Sequence, residues 1–86
     1  MNFEEIYALV KARKADMPEG KSTTELFRKG PDGIGKKLVE EAAESWMAAR
    51  FESRDAQALE LSQVLYYVAC MMAEKDLTLE EVYAKL

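Results

Sequence analysis

The chain predicts an all-α fold, with short helices around a helical bundle completed by homodimerisation. Three observations carry this reading. Apolar residues return at three- and four-residue intervals, as in Phe3, Ile6, Tyr7 and Val10, the period of a helix with one buried face. Twice a Ser or Thr is followed three residues later by Glu, at Ser22–Glu25 and Thr78–Glu81, the pattern of a capping box that opens a helix. No stretch alternates apolar and polar residues as a half-buried strand does, and no repeat or low-complexity segment competes with the helical pattern.

Taken in order, the first helix starts near Phe3 and runs to about Lys14. Met17-Pro18-Glu19-Gly20 ends it, because proline and glycine punctuate helices. Ser22 and Glu25 open a short second helix that stops near Gly30. Pro31-Asp32-Gly33 reads as a turn into a third helix from about Asp32 to Phe51. Ser53 or Asp55 starts a fourth, which continues to about Lys75. Thr78 and Glu81 cap a last short helix through Leu86. In the third helix Ile34, Leu38, Ala42, Ser45, Trp46 and Ala49 share one arc, which is expected to be the buried stripe. The fourth helix carries Val64, Leu65, Val68, Met71 and Met72 on more than one side, which predicts burial on more than one side.

At 86 residues the chain is expected to form one domain, residues 1–86. A chain this short buries only about 60–65% of its unfolded surface, so a second copy would help it fold. Its 49% hydrophobic and 33% charged residues form a globular balance and not a disordered one. The net charge of −4 and the lack of a long basic stretch argue against nucleic acid as a partner. The single cysteine, Cys70, suits a reducing compartment and lies in an apolar run that marks it as structural. The acidic start, Met1 to Glu5, is unlike a secretory leader. The longest uncharged run, Leu61 to Ala73, is far short of the roughly 20 apolar residues that span a bilayer. A cytoplasmic protein that does not enter a membrane is expected.

The chemistry concentrates in Glu40, Glu41 and Glu44, with Glu60 and Gln63 on the following helix. Lys37, Glu40, Glu41 and Glu44 share the arc beside the apolar stripe, with Glu41 at its border. Glu60, Gln63 and Tyr67 fall on one face because offsets of three, four and seven return to it. Such a set can hold a hard divalent cation, since Mg²⁺ takes oxygen ligands and bridges carboxylates to phosphates. The same spacing also describes a plain solvated acidic face, glutamate being a good helix former. Like charges at Glu40 and Glu44 repel by about 0.2–0.5 kcal/mol, which a bound cation would more than offset.

Several blocks then fall in a recognisable order. Phe3-Glu4-Glu5-Ile6-Tyr7, Pro18-Glu19-Gly20 with Ser22-Thr23, Ile34-Gly35-Lys36-Lys37 running into Glu40-Glu41-Ala42-Ala43-Glu44, Leu65-Tyr66, and Leu79-Glu80-Glu81-Val82-Tyr83 together resemble the phosphoribosyl-ATP pyrophosphohydrolase family of histidine biosynthesis. That family belongs to the all-α NTP pyrophosphatases, which pair Glu-x-x-Glu with a later Glu-x-x-Asp. The resemblance covers nearly the whole chain and departs from the pattern twice. Gln63 stands where the superfamily has aspartate, and Tyr67 stands where many relatives have histidine. With no histidine anywhere in the chain, an imidazole base is excluded.

The resemblance implies hydrolysis of phosphoribosyl-ATP between its α and β phosphates, releasing phosphoribosyl-AMP and pyrophosphate, with Mg²⁺ as cofactor. It implies Glu41, Glu44 and Glu60 as metal ligands, Glu40 as a fourth ligand or the base, and Gln63 as a neutral ligand or outer partner. Carboxylate-held Mg²⁺ can lower the pKa of water and neutralise phosphate charge. Lys36 and Lys37, one turn before the cluster, are expected to contact phosphate, with Arg13, Lys14 and Thr23 as further candidates. Ser22 can also bond phosphate or ribose but is expected chiefly to cap its helix, and Trp46 to pack in the core and not to stack on adenine. Two other functions remain open on the residues: a house-cleaning NTP or dNTP pyrophosphatase of the same superfamily, and a non-catalytic helical module with Gln63 marking a decayed site.

Overall fold

A computed structural model describes residues 1–86 as four helices with no strand: α1 (Phe3–Asp16), α2 (Ser22–Phe51), α3 (Arg54–Glu74) and α4 (Leu79–Tyr83). Helix α3 is the centre of the molecule, packing against both α1 and α2. The core lies where the three meet. Tyr7 and Val10 from α1, Leu26, Phe27 and Ile34 from α2, and Ala69, Cys70, Met72 and Ala73 from α3 form one buried cluster. Burial pushes the Cys70 thiol up to about 11, which leaves it protonated and inert.

Helix α1 opens on a capping box that the sequence reading had not assigned. Asn2 Oδ1 accepts from the Glu5 N–H at 2.9 Å, and the Glu5 carboxylate accepts from the Asn2 N–H at 2.8 Å. The helix runs two residues past the expected end, to Asp16, because Met17 in a left-handed conformation (φ 47°) terminates it and donates to the Arg13 carbonyl. Lys14 reaches across to the end of α3, where its ammonium donates to the carbonyls of Ala73 and Glu74 at 2.9 and 3.0 Å. A cation suits that position, since the last carbonyls of a helix lack intrahelical partners and carry partial negative charge.

The expected second and third helices are the two arms of α2, residues 22–29 and 31–51, separated only by Gly30. At φ 75° and ψ −165° Gly30 occupies backbone space that is essentially reserved for glycine. Pro31 follows as the first residue of the second arm, where its missing N–H costs nothing. The expected Ser22–Glu25 capping box does not form. Lys21 occupies the cap position with no side-chain bond, and Glu25 turns instead to Arg28. Arg28 also pairs with Glu19 at 2.6 Å, and Thr24 donates to the Pro18 carbonyl at 2.7 Å, so the loop before α2 is tied to its first arm.

Ser53 caps α3, as expected, and Thr78 with Glu81 forms the second expected capping box, both bonds at 3.0 Å. Helix α4 docks on α1 through Tyr83, whose hydroxyl donates to Glu4 at 2.8 Å.

The buried stripe of α2 is rotated from the expected one. Ile34, Glu41, Ser45 and Ala48 face inward at spacings of seven, four and three residues, while Ala42, Trp46 and Ala49 are exposed. Trp46 is 66% exposed, against the expectation of core packing. The physical reason is close approach: small Ser45 and Ala48 let α3 lie against α2, and the bulkier apolar arc is left facing out.

Candidate metal and phosphate site

Rotation of α2 carries Glu41 from the border of the stripe into the helix seam, where it is 6% exposed. Glu44 lies three residues on, and Glu60 faces both from the first half of α3. One carboxylate oxygen from each of Glu41, Glu44 and Glu60 lies within 4.8 Å of the other two. The second oxygens of Glu41 and Glu60, Oε2 in each, are buried and have no hydrogen-bond partner. Burying a carboxylate oxygen unpaired is costly.

Titration follows from the same geometry. Burial, then the facing carboxylates of Glu60 and Glu44, push Glu41 from 4.5 up to about 7. A proton or a cation relieves the same strain. The donor set is all oxygen and converges from two helices, so it fits a hard divalent cation. Gln63 is one turn beyond Glu60 on α3 and half-buried.

Beside the acidic seam lies a cleft of about 630 Å³, lined by Ser22, Glu25, Leu26, Lys29, Gly33, Lys36, Lys37, Glu40, Tyr66 and Tyr67. It joins both arms of α2 to the middle of α3. Glu40 belongs to this cleft: its carboxylate accepts from the Lys37 ammonium at 3.3 Å, which raises the pKa of Lys37. Lys36 lines the same space with no carboxylate within 4 Å. Leu26, Tyr66 and Tyr67 form the apolar wall, the two tyrosine rings meeting edge to face at 5.1 Å. Desolvation raises the Tyr67 hydroxyl, with Lys37 opposing the shift.

The remaining sequence candidates stand apart from the cleft. Thr23 is buried behind its wall, with its hydroxyl bonded to that of Tyr66. Ser22, expected chiefly to cap its helix, is the exception and lines the cleft. Arg13 is half-buried on α1 and is not among the residues lining the cleft, while Lys14 is occupied at the end of α3. Sequence reasoning missed Lys29 as a cleft residue, and Tyr66 and Tyr67 as its wall. The signal for Lys29 is helical spacing, since 29, 33, 36–37 and 40 fall on one face. The Gly30-Pro31 break, read as a turn, concealed it.

Comparison with known proteins follows the same outline. Residues 3–86 match the family model described as phosphoribosyl-ATP pyrophosphohydrolase. Proteins named phosphoribosyl-ATP pyrophosphatase from Streptomyces avermitilis and Streptomyces coelicolor are each 48% identical over 85 residues. The match covers 98% of this chain and 94% of each relative.

Proposed function

The chain belongs to the phosphoribosyl-ATP pyrophosphohydrolase family and hydrolyses phosphoribosyl-ATP in histidine biosynthesis; we propose that it does so at the seam between α2 and α3, with Mg²⁺ held by Glu41, Glu44 and Glu60. The observation that carries the site is the pair of buried, unpartnered carboxylate oxygens on Glu41 and Glu60. When bound, Mg²⁺ supplies a more acidic water and neutralises phosphate charge.

The chain's own residues supply the rest. The triphosphate enters the cleft, where Lys37 offsets its charge and holds it beside the acidic seam. Water adds to one phosphorus of the α–β anhydride, the P–O–P bond breaks, and pyrophosphate leaves with phosphoribosyl-AMP as the other product. Glu40 lines the cleft and holds Lys37, which supports a role in taking the water's proton. Gln63, next to Glu60, serves as a neutral outer partner. Tyr66, Tyr67 and Leu26 present the apolar surface against which a base can lie.

A second copy completes the fold. The chain exposes 5918 Å², where a folded monomer of this mass has roughly 5,200 Å². Val39, Trp46, Phe51, Leu59, Leu61 and Leu65 are each 49–70% exposed, and all lie on the two helices that carry the acidic cluster.

The test is phosphoribosyl-ATP hydrolysis by the parent and by Glu44→Gln, with and without Mg²⁺, against a panel of dNTPs. Mg²⁺-dependent turnover of phosphoribosyl-ATP that Glu44→Gln abolishes is expected. Activity surviving that substitution would remove the acidic seam from the mechanism, and preference for dNTPs would move the chain to the house-cleaning enzymes.

A further inference from the structure

The cleft holds more positive charge than the triphosphate's position beside the acidic seam uses. Five charged side chains line it: Glu25, Lys29, Lys36, Lys37 and Glu40. Glu25 is neutralised by Arg28 and Glu40 by Lys37, so Lys29 and Lys36 are left as two ammonium groups without a carboxylate within 4 Å. The kink at Gly30 folds Lys29 back over Gly33, where a side-chain Cβ would overlap the Cβ of Lys29. Gly33 therefore leaves room for the lysine stem to run along the cleft. The level of Gly33 is eight residues before Glu41, a rise of about 12 Å along α2. Lys29 thus lies at the end of the cleft away from the Glu41 seam, with Lys36 between the two.

A substrate made of ATP joined to a phosphorylated ribose carries two separate anions: a triphosphate arm and a phosphomonoester on the second ribose. A phosphomonoester bears a charge of about −1.5 to −2 at neutral pH, which two ammonium groups balance. We propose that Lys29, with Lys36, forms the subsite for the phosphomonoester of the phosphoribosyl group, and so selects phosphoribosyl-ATP over ordinary nucleoside triphosphates. The inference rests on the proposed reaction and adds to it the residue that reads the group an ordinary nucleotide lacks. Ser22 lines the same cleft and offers a hydroxyl donor. Lys29 is exposed and on a helix surface, so its removal leaves the core intact.

The two reaction products separate the anions, which gives the test. Binding of phosphoribosyl-AMP, AMP and Mg²⁺-pyrophosphate is measured calorimetrically on the parent, Lys29→Ala and Lys29→Arg, alongside KM and kcat for phosphoribosyl-ATP. Lys29→Ala is expected to weaken phosphoribosyl-AMP about tenfold or more while leaving AMP and pyrophosphate unchanged. KM should rise more than kcat falls, and Lys29→Arg should restore much of the affinity. Equal weakening of AMP or pyrophosphate, or no weakening at all, overturns the subsite while leaving the hydrolysis by the parent intact. A parent that neither cleaves phosphoribosyl-ATP nor prefers phosphoribosyl-AMP to AMP overturns the subsite and the reaction together.

Discussion

Glu41 occupies a position in the α2–α3 seam where an apolar side chain would pack well, and it carries a carboxylate instead. In the metal-free protein its pKa stands at about 7, against 4.5 in the unfolded chain. The folded state therefore holds a proton that the unfolded state has already lost between those values. The associated stability is complete below pH 4.5 and lost as pH rises through 7, a loss on the order of 1–3 kcal/mol. Urea denaturation in the presence of a chelator should show the midpoint falling from pH 5 to pH 8, and a flat profile would count against the buried-carboxylate account. Glu41→Gln should abolish both that pH dependence and the Mg²⁺-dependent hydrolysis, while stabilising the metal-free protein at pH 8. Saturating Mg²⁺ at a hundred times its dissociation constant should restore about 2.7 kcal/mol to the parent and nothing to the variant. The sequence identified these carboxylates by spacing, but not that Glu41 is the buried one; that depends on which arc of α2 meets α3.

The elements were legible wherever local chemistry decides them. Thr78–Glu81 and Ser53 cap the helices they were expected to cap, because a capping bond is made within one turn. Ser22–Glu25 has the same signature and fails, since Arg28 competes for the glutamate from one turn away and ties it to the loop at Glu19. The bend in α2 was legible as a break, but not as a single-residue one. Gly30→Ala should cost about 1–3 kcal/mol, because its backbone angles are open only to glycine. The same substitution should raise KM for phosphoribosyl-ATP by swinging the first arm away from the second. Lys14→Met tests the α1–α3 junction: losing two bonds from a charged donor should cost about 1–3 kcal/mol with kcat unchanged. A urea midpoint unmoved by Lys14→Met would remove it from the fold's supports.

For the whole molecule, the all-α class and the order of helices follow from periodicity and breakers, both local properties. Which face of α2 turns inward does not, because the outward face is also apolar. Trp46→Glu places a charge in the middle of that face and should shift the protein from dimer to monomer in sedimentation at micromolar concentration. A parent that sediments as a monomer throughout would show that the exposed face has no second copy to cover it. The ends of the chain carry a different consequence. Tyr83 is bonded to Glu4, and its ring lies 6.5 Å from that of Phe3, so the first and last helices bring the two ends of the chain close together. Chains with adjacent termini accept circular permutation. A short glycine–serine linker joining Leu86 to Met1, with new ends opened between exposed Gly20 and Lys21, should give a protein that folds and turns over substrate like the parent.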